Sequence, residues 1–225
     1  MIFTKLIRYY YYNYFISEKK ISLNEKYIYF ALHVEPERTV SPEGGLFHNQ
    51  IRAIKLLSRS LPKNYKIYVK EHPNEFWLRD ACIDTLYFKG ISFYKEIKKI
   101  KNVKLLNNNI SPDKLLKNSL CTATITGTSG WEAIKMKKKT IAFGFPWYAD
   151  HKNCLCVSRD DKKTIKKIKK FLFKTKVKDE KYTKSYIKKY NQYLVEAETW
   201  ENVIKTPKNI QNIKKLFASK LENLF

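Results

Sequence analysis

The apolar positions of the chain fall into two periods. Five short runs rich in β-branched and aromatic residues, at 27–32, 66–69, 103–106, 123–126 and 140–143, have the length and composition of strands. Between them, apolar residues recur every three or four positions. Ile51, Ile54 and Leu57 share one face of a helix predicted over 49–60, and further helices are predicted over 92–100, 112–118 and 129–137. Ser111 followed by Pro112 is a helix-start signal, and Asn118 suits the end of the same helix. Such alternation argues for an α/β fold, a Rossmann-like parallel sheet with flanking helices. After Asp150 the texture changes to lysine-rich helical stretches at 162–173, 178–197 and 207–224. The expected organisation is an N-terminal extension or linker over 1–24, a Rossmann-like domain over 25–158 and a helical C-terminal extension over 159–225.

Composition narrows the class without naming it. A chain of 225 residues with 44% hydrophobic and 15% aromatic residues can bury a sizeable core, which excludes a disordered protein despite 29% charged residues. The formal charge of +24 fits nucleic acid, an anionic membrane surface or an acidic ligand, and lysine excess also follows from an AT-rich genome. The lysines concentrate at 135–139 and 162–189, so a basic face on the C-terminal part, suited to anionic lipid, is expected. Cys82, Cys121, Cys154 and Cys156 lack the paired spacing of a structural zinc site, and a reduced, cytoplasmic protein fits them best. Residues 1–15 are aromatic and apolar, but Lys5 and Arg8 interrupt them. They read as neither a secretory signal nor a membrane span, and suit a membrane interface or a connection from a preceding domain.

Four segments follow predicted strands and carry candidate chemistry. In the strand, turn and helix ATITGTSGWEAIKMK, Gly127 and Gly130 let backbone approach a ligand, and Thr128 and Ser129 place hydroxyls at a helix N-terminus that favours an anion. Glu132, one turn on, suits ribose hydroxyls. The same residues also suit an ordinary helix cap with Glu132 completing it. In YVKEHP, Pro73 restricts His72 at a strand's carboxyl end, where open α/β sheets bind ligands, and an imidazole there can donate to a phosphate. The loop 32–47 holds His33, Glu35, Glu37, Arg38, Ser41, Gly44 and Gly45; Arg38 suits a phosphate or sugar carboxylate, Glu35 an acid or base, and a purely structural loop remains open. In FGFPWY, Trp147 and Tyr148 suit stacking on a base or sugar, or closure of the core. One sheet would bring all four segments to a common edge.

Taken in order, LHVEPERTVSPEGGLFHNQI, YVKEHP, FYKEIKKIKNVKLL, TGTSGWEAI and IAFGFPWY resemble the C-terminal, nucleotide-sugar-binding half of capsular polysaccharide biosynthesis proteins. These are similar to the two-domain GT-B glycosyltransferases that use CMP-activated acidic sugars, such as the capsule Kdo transferases. The resemblance covers about 27–148. It implies that His72 with Pro73, and Thr128 with Ser129 in the Gly127–Gly130 turn, hold the nucleotide phosphate and that Glu132 lies near the ribose; with the strand-end reading, His72 and Glu35 are the catalytic candidates. The strand-end reading adds His33, Arg38, Trp147 and Tyr148 as candidate sugar or base contacts; the resemblance implies no metal, and no cofactor is expected. The implied partners are a CMP-sugar donor, a saccharide or glycolipid acceptor and a separate acceptor-binding domain or subunit, since one Rossmann-like domain fits here; the basic C-terminal face adds an anionic membrane on the inner face of the plasma membrane. No nucleic acid is expected. A basic nucleic-acid-binding module and a UDP-sugar epimerase-like protein are the alternatives.

Overall fold

A computed structural model describes residues 2–76 and 89–190, the side chains of 2–5 apart. Six strands, β1 (Tyr27–Ala31), β2 (Lys66–Lys70), β3 (Val103–Leu106), β4 (Cys121–Thr124), β5 (Lys139–Ala142) and β6 (Cys154–Cys156), form one sheet in the order β3-β2-β1-β4-β5-β6. Every neighbouring pair is parallel. This is the order of dinucleotide-binding folds, with the switch point between β1 and β4. The described helices are α1 (Ile2–Tyr10), α2 (Gln50–Ser60), α3 (Ile91–Lys98), α4 (Pro112–Asn118), α5 (Thr128–Lys135), α6 (Lys162–Lys174) and α7 (Glu180–Tyr190). The Rossmann-like α/β fold is therefore present, with lysine-rich helices after it.

Strand residues alternate between two cores, as the pleat requires. Ile28 and Phe30 of β1, with Ile67 and Val69 of β2, face Ile54 and Leu57 of α2, Phe93 and Ile97 of α3, and Ile168 and Phe171 of α6. Tyr27 and Tyr29, with Tyr68, face Leu115 and Leu116 of α4 and Ala133 of α5. Tyr27 and Tyr68 stack at 4.2 Å between ring centroids. Because both faces are covered, the strands read as continuous apolar runs and not as alternating ones.

Three features depart from the pattern-based elements. β4 spans 121–124 where 123–126 was predicted, because the Thr124 hydroxyl accepts the Gly127 N–H at 3.2 Å and turns the chain off the sheet. β6, three residues long and half-buried, has too little length for a strand period, and its two cysteines offered no pattern. The segment set apart as an N-terminal extension is helical: α1 runs into a π-helical turn over Tyr11–Ile16, and Tyr12 and Ile16 join the larger core. The buried stripe Arg8, Tyr12, Ile16 has helical i, i+4 spacing, but an arginine at its head conceals the apolar period. The chain divides into two compact units at 178/179; in the second, α7 carries a Glu180–Lys184 pair one turn apart at 2.8 Å. The predicted helix over 207–224, residues 191–197 of the preceding one, and Cys82 lie outside the described residues.

Arg8, only 1% exposed, pairs with Glu75 at 3.1 Å and donates to the carbonyls of Glu75 and Lys89, both at 3.0 Å. Removing one partner of a buried pair leaves the other charge uncompensated. Arg8→Ala is expected to lower unfolding free energy by about 3–5 kcal/mol, read from urea denaturation; a loss below about 1 kcal/mol would place α1 outside the cooperative fold.

Candidate functional site

The switch point opens a cavity of about 520 Å³ beyond the carboxyl ends of the central strands. Register explains why its walls meet there: Ala31 pairs with Lys70, and Phe30 with Ala123, so His33, His72 and Gly127 follow three adjacent strands at one edge. The cavity is lined by His33, Glu37 and Thr39 after β1, by Lys70 through Pro73 at the end of β2, by Pro112 and Asp113 at the start of α4, and by Gly127, Thr128, Ser129 and Glu132. Tyr29 and Thr124 contribute from the strands themselves.

The start of α5 supplies main-chain donors. Its N-cap is Gly127, with no side-chain cap bond, so the hydroxyls of Thr128 and Ser129 are not spent on the helix end. An uncapped N-terminus leaves amide N–H groups and the positive end of the helix dipole facing the cavity. The ordinary capping arrangement is thus not the geometry adopted. Among the described residues the Glu132 carboxylate forms no hydrogen bond, and it stands close enough to the buried Tyr29 phenol to raise its pKa, an effect second to burial. Gly127 and Gly130 serve packing within the protein: a Cβ on Gly127 would lie 2.7 Å from Thr124 Oγ1 and 3.0 Å from His33 Nε2, and one on Gly130 would run into the Tyr148 hydroxyl and the Thr140 methyl.

The two imidazoles are set in defined tautomers by main-chain donors. The Thr126 N–H donates to His33 Nε2 at 3.3 Å, so that nitrogen is unprotonated and accepts the Thr124 hydroxyl as well, at 2.9 Å. His33 therefore carries its proton on Nδ1. Burial, aided by the nearby Lys89 and His72, pushes its pKa from 6.5 to about 4, and the ring is neutral. At His72 the Asn74 N–H donates to Nδ1 at 3.2 Å, which leaves Nε2–H as a donor. Burial also lowers the His72 pKa, with Glu71 and Glu37 opposing.

Behind these rings lies a buried ionic network. Lys89 donates to the carboxylates of Glu71 (2.8 Å) and Glu75 (3.3 Å) and to the His33 carbonyl. Glu71 also accepts the Tyr94 hydroxyl at 2.8 Å and the His72 N–H at 2.8 Å. Gln50, fully buried, accepts the His33 N–H at 2.9 Å and donates to the His33 carbonyl at 3.2 Å.

The remaining candidates stand outside the cavity. Glu35 accepts from the Gln50 amide, and its carboxyl, its pKa raised by burial, opens onto a separate pocket with Arg38 and His48. Arg38 is solvent-exposed and paired with Glu43 at 2.9 Å. Trp147 packs on Trp131, ring centroids 4.5 Å apart, with 55% of its surface exposed. Tyr148 is fully buried and donates to the Gly127 carbonyl, bracing the turn from behind. The structure therefore gathers His33, His72, Pro73, Gly127, Thr128, Ser129 and Glu132, and holds Glu35, Arg38, Gly130, Trp147 and Tyr148 apart from them. Sequence reasoning passed over Lys70, Asp113 and Tyr29; a charged residue closing an otherwise apolar strand was the available signal for Lys70. Among the described residues no group of three or more His, Cys, Asp or Glu side chains is arranged to hold a metal ion.

Fold and cavity together define a Rossmann-like α/β protein with a cleft at its switch point. The model of the capsule polysaccharide biosynthesis protein family matches residues 2–189, and the chain belongs to that family. None of the curated proteins matches it. Among solved structures it is similar to the KpsC beta Kdo 2,7 transferase of Thermosulfurimonas dismutans, at 17% identity over 64% of this chain and 42% of that one, with a TM-score of 0.47. The UDP-GlcNAc 2-epimerase of Methanocaldococcus jannaschii is similar at 15% identity over 75% and 46%, TM-score 0.49. MnaA of S. aureus, solved with UDP, is similar at 14% identity over 76% and 46%, TM-score 0.41. The chain spans less than half the length of each of these three proteins.

The His33 geometry sets a pH dependence. With a folded pKa of about 4 against 6.5, the unfolded chain binds a proton between those values that the folded chain does not. Stability from this group is complete above pH 6.5 and is lost as pH falls toward 4. Lowering the pH from 7.5 to 5 is expected to cost about 2 kcal/mol through His33, so urea unfolding of His33→Gln should show a pH loss smaller by about that amount. An identical loss in both proteins would contradict the buried neutral imidazole.

Proposed function

We propose that the chain forms the donor-binding part of a glycosyltransferase in capsule or surface polysaccharide biosynthesis, taking a nucleotide-activated sugar, specifically a CMP-linked acidic sugar such as CMP-Kdo. Family membership supports the pathway, and one observation carries the site: His72, its Nδ1 occupied, and the uncapped start of α5 line a single cavity from opposite sides of the switch point. The CMP assignment rests on the likeness of the YVKEHP and TGTSGWEAI motifs to enzymes using that donor class.

In this reading the donor phosphate sits against the amides and hydroxyls of Thr128 and Ser129, and Glu132 accepts from the ribose hydroxyls. As the bond from the sugar's anomeric carbon to the phosphate oxygen breaks, negative charge grows on the leaving phosphate. Donors already oriented in a partly dry site stabilise that charge without reorganising. His72 Nε2–H points to the same group and needs no prior protonation to donate. The acceptor, a saccharide or glycolipid, comes from a separate domain or subunit, together with the base that activates its hydroxyl. Glu35, held by Gln50 outside the cavity, has no part in the donor step.

No helix among the described residues is long and apolar enough to cross a membrane. The seven lysines of α6, Lys162, Lys163, Lys166, Lys167, Lys169, Lys170 and Lys174, are all exposed, while Ile168, Phe171 and Leu172 face the core. Such a face suits peripheral attachment to the anionic inner leaflet, each lysine near the surface contributing about 1 kcal/mol at low salt. In this reading the protein is cytoplasmic and acts beside a membrane-borne acceptor.

Calorimetric titration with CMP and UDP tests the donor assignment. Saturable binding of CMP in preference to UDP is expected, and His72→Ala and the double change Thr128→Ala, Ser129→Ala should each weaken it roughly tenfold, about 1.4 kcal/mol. Equal affinity for CMP in parent and variants would remove the site; preference for UDP would move the chain toward epimerase-like chemistry. Replacing Lys162, Lys163, Lys166 and Lys167 with glutamine should reduce sedimentation with vesicles containing phosphatidylglycerol, and unchanged sedimentation would discard the membrane attachment.

A further inference from the structure

Two lysines are buried beside the cavity, and their surroundings are opposite. Lys89, with no exposed surface, has a carboxylate on either side and a carbonyl, so its ammonium is fully occupied by the protein. Lys70, only 2% exposed, has one hydrogen bond from its ammonium among the described residues, to the Glu71 carbonyl at 3.5 Å. Among the described residues no carboxylate pairs with it. The neighbouring Glu71 carboxylate is spent on Lys89, Tyr94 and the His72 N–H.

A lysine ammonium has three donors, and here at least two of them have no partner among the described residues. Burying a charge without a partner is costly, and a protein keeps such a group where something else completes it. Strand geometry shows where that completion comes from. Lys70 closes β2, and His72 follows two residues on at the same strand end. Glu71 lines the cavity as well, but its carboxylate is taken up by the ionic network, whereas Lys70 and His72 line the cavity with donors free for a ligand.

We propose that Lys70 is the buried counter-cation for the donor's phosphate, joining His72 in the cavity. The proposal rests on the nucleotide-donor reading above and adds a residue to it. In the free protein burial holds the Lys70 pKa below its ordinary value, with Glu71 opposing; a bound anion supplies the missing partner. Salt screens such a contact less than it screens the exposed lysines of α6, because solvent and counterions are excluded from it.

The test compares CMP with cytidine, which lacks only the phosphate, in the parent chain and in Lys70→Met and Lys70→Arg. The parent should bind CMP far more tightly than cytidine. A hydrogen-bonded charge of this kind is expected to account for roughly 10- to 100-fold in CMP affinity. Lys70→Met should lose that factor for CMP while cytidine affinity stays as in the parent, and Lys70→Arg should recover part of it. Unchanged cytidine binding shows that the methionine variant folds; if it does not fold, Lys70→Gln takes its place in the same comparison. Parent-like CMP affinity in a folded Lys70→Met would overturn the role of Lys70 while leaving the donor site standing. A parent that binds CMP no better than cytidine would overturn the phosphate site and Lys70 together.

Discussion

The site depends on one buried ionic network, in which Arg8 and Lys89 neutralise Glu71 and Glu75. Each charge in it is costly to take out of water, and the set is tolerable because every member has partners of the opposite sign or a carbonyl. Three parts of the chain that are remote in sequence are joined by it: α1 through Arg8, the turn after β2 through Glu71 and Glu75, and the loop after β1 through the His33 carbonyl held by Lys89. Glu71 sits at the junction. Its carboxylate takes the His72 N–H, while its own N–H donates to the Tyr12 hydroxyl at 3.1 Å, and that hydroxyl donates to the Leu106 carbonyl at 2.6 Å. The backbone that carries the His72 ring is therefore held by groups whose own bonds lie within the protein.

Against that background the cavity is conspicuous for what the protein leaves unsatisfied. Behind the sheet edge, cations and carboxylates are matched. In front of it stand an uncapped helix start, an imidazole N–H with its other nitrogen already used, and a buried ammonium with one long contact. Amides at a helix N-terminus, a neutral imidazole donor and a lysine share a preference for negative charge. Carboxylates of Glu132 and Asp113 line the cavity too, which suits a ligand having an anionic end and a hydroxyl- or amine-bearing end.

Much of the arrangement was legible in the order of residues because strand ends, glycines and proline have local meanings. His72 followed by Pro73 and the Gly127–Ser129 turn declare themselves as strand-end features wherever they occur, and the parallel sheet then brings them together. Lys70 was hard to read for the opposite reason: in a chain with 45 lysine and arginine residues, a lysine closing an apolar strand is a weak signal until its burial is known. The inward turn of Arg8 was hidden likewise, since a charged residue in an aromatic run reads as exposed. The aromatic pair Trp147 and Tyr148 had two open directions, and only packing separates the exposed ring from the one that braces Gly127.

The most direct measurement is a titration of the isotopically labelled chain with CMP, following backbone amide chemical shifts. Saturable changes centred on Gly127, Thr128, Ser129 and His72, with the lysines of α6 unmoved, are the expected result. Shifts confined to 162–174, or spread weakly over the basic surface, would mean that CMP meets only exposed charge and that the cleft at the switch point is not its site.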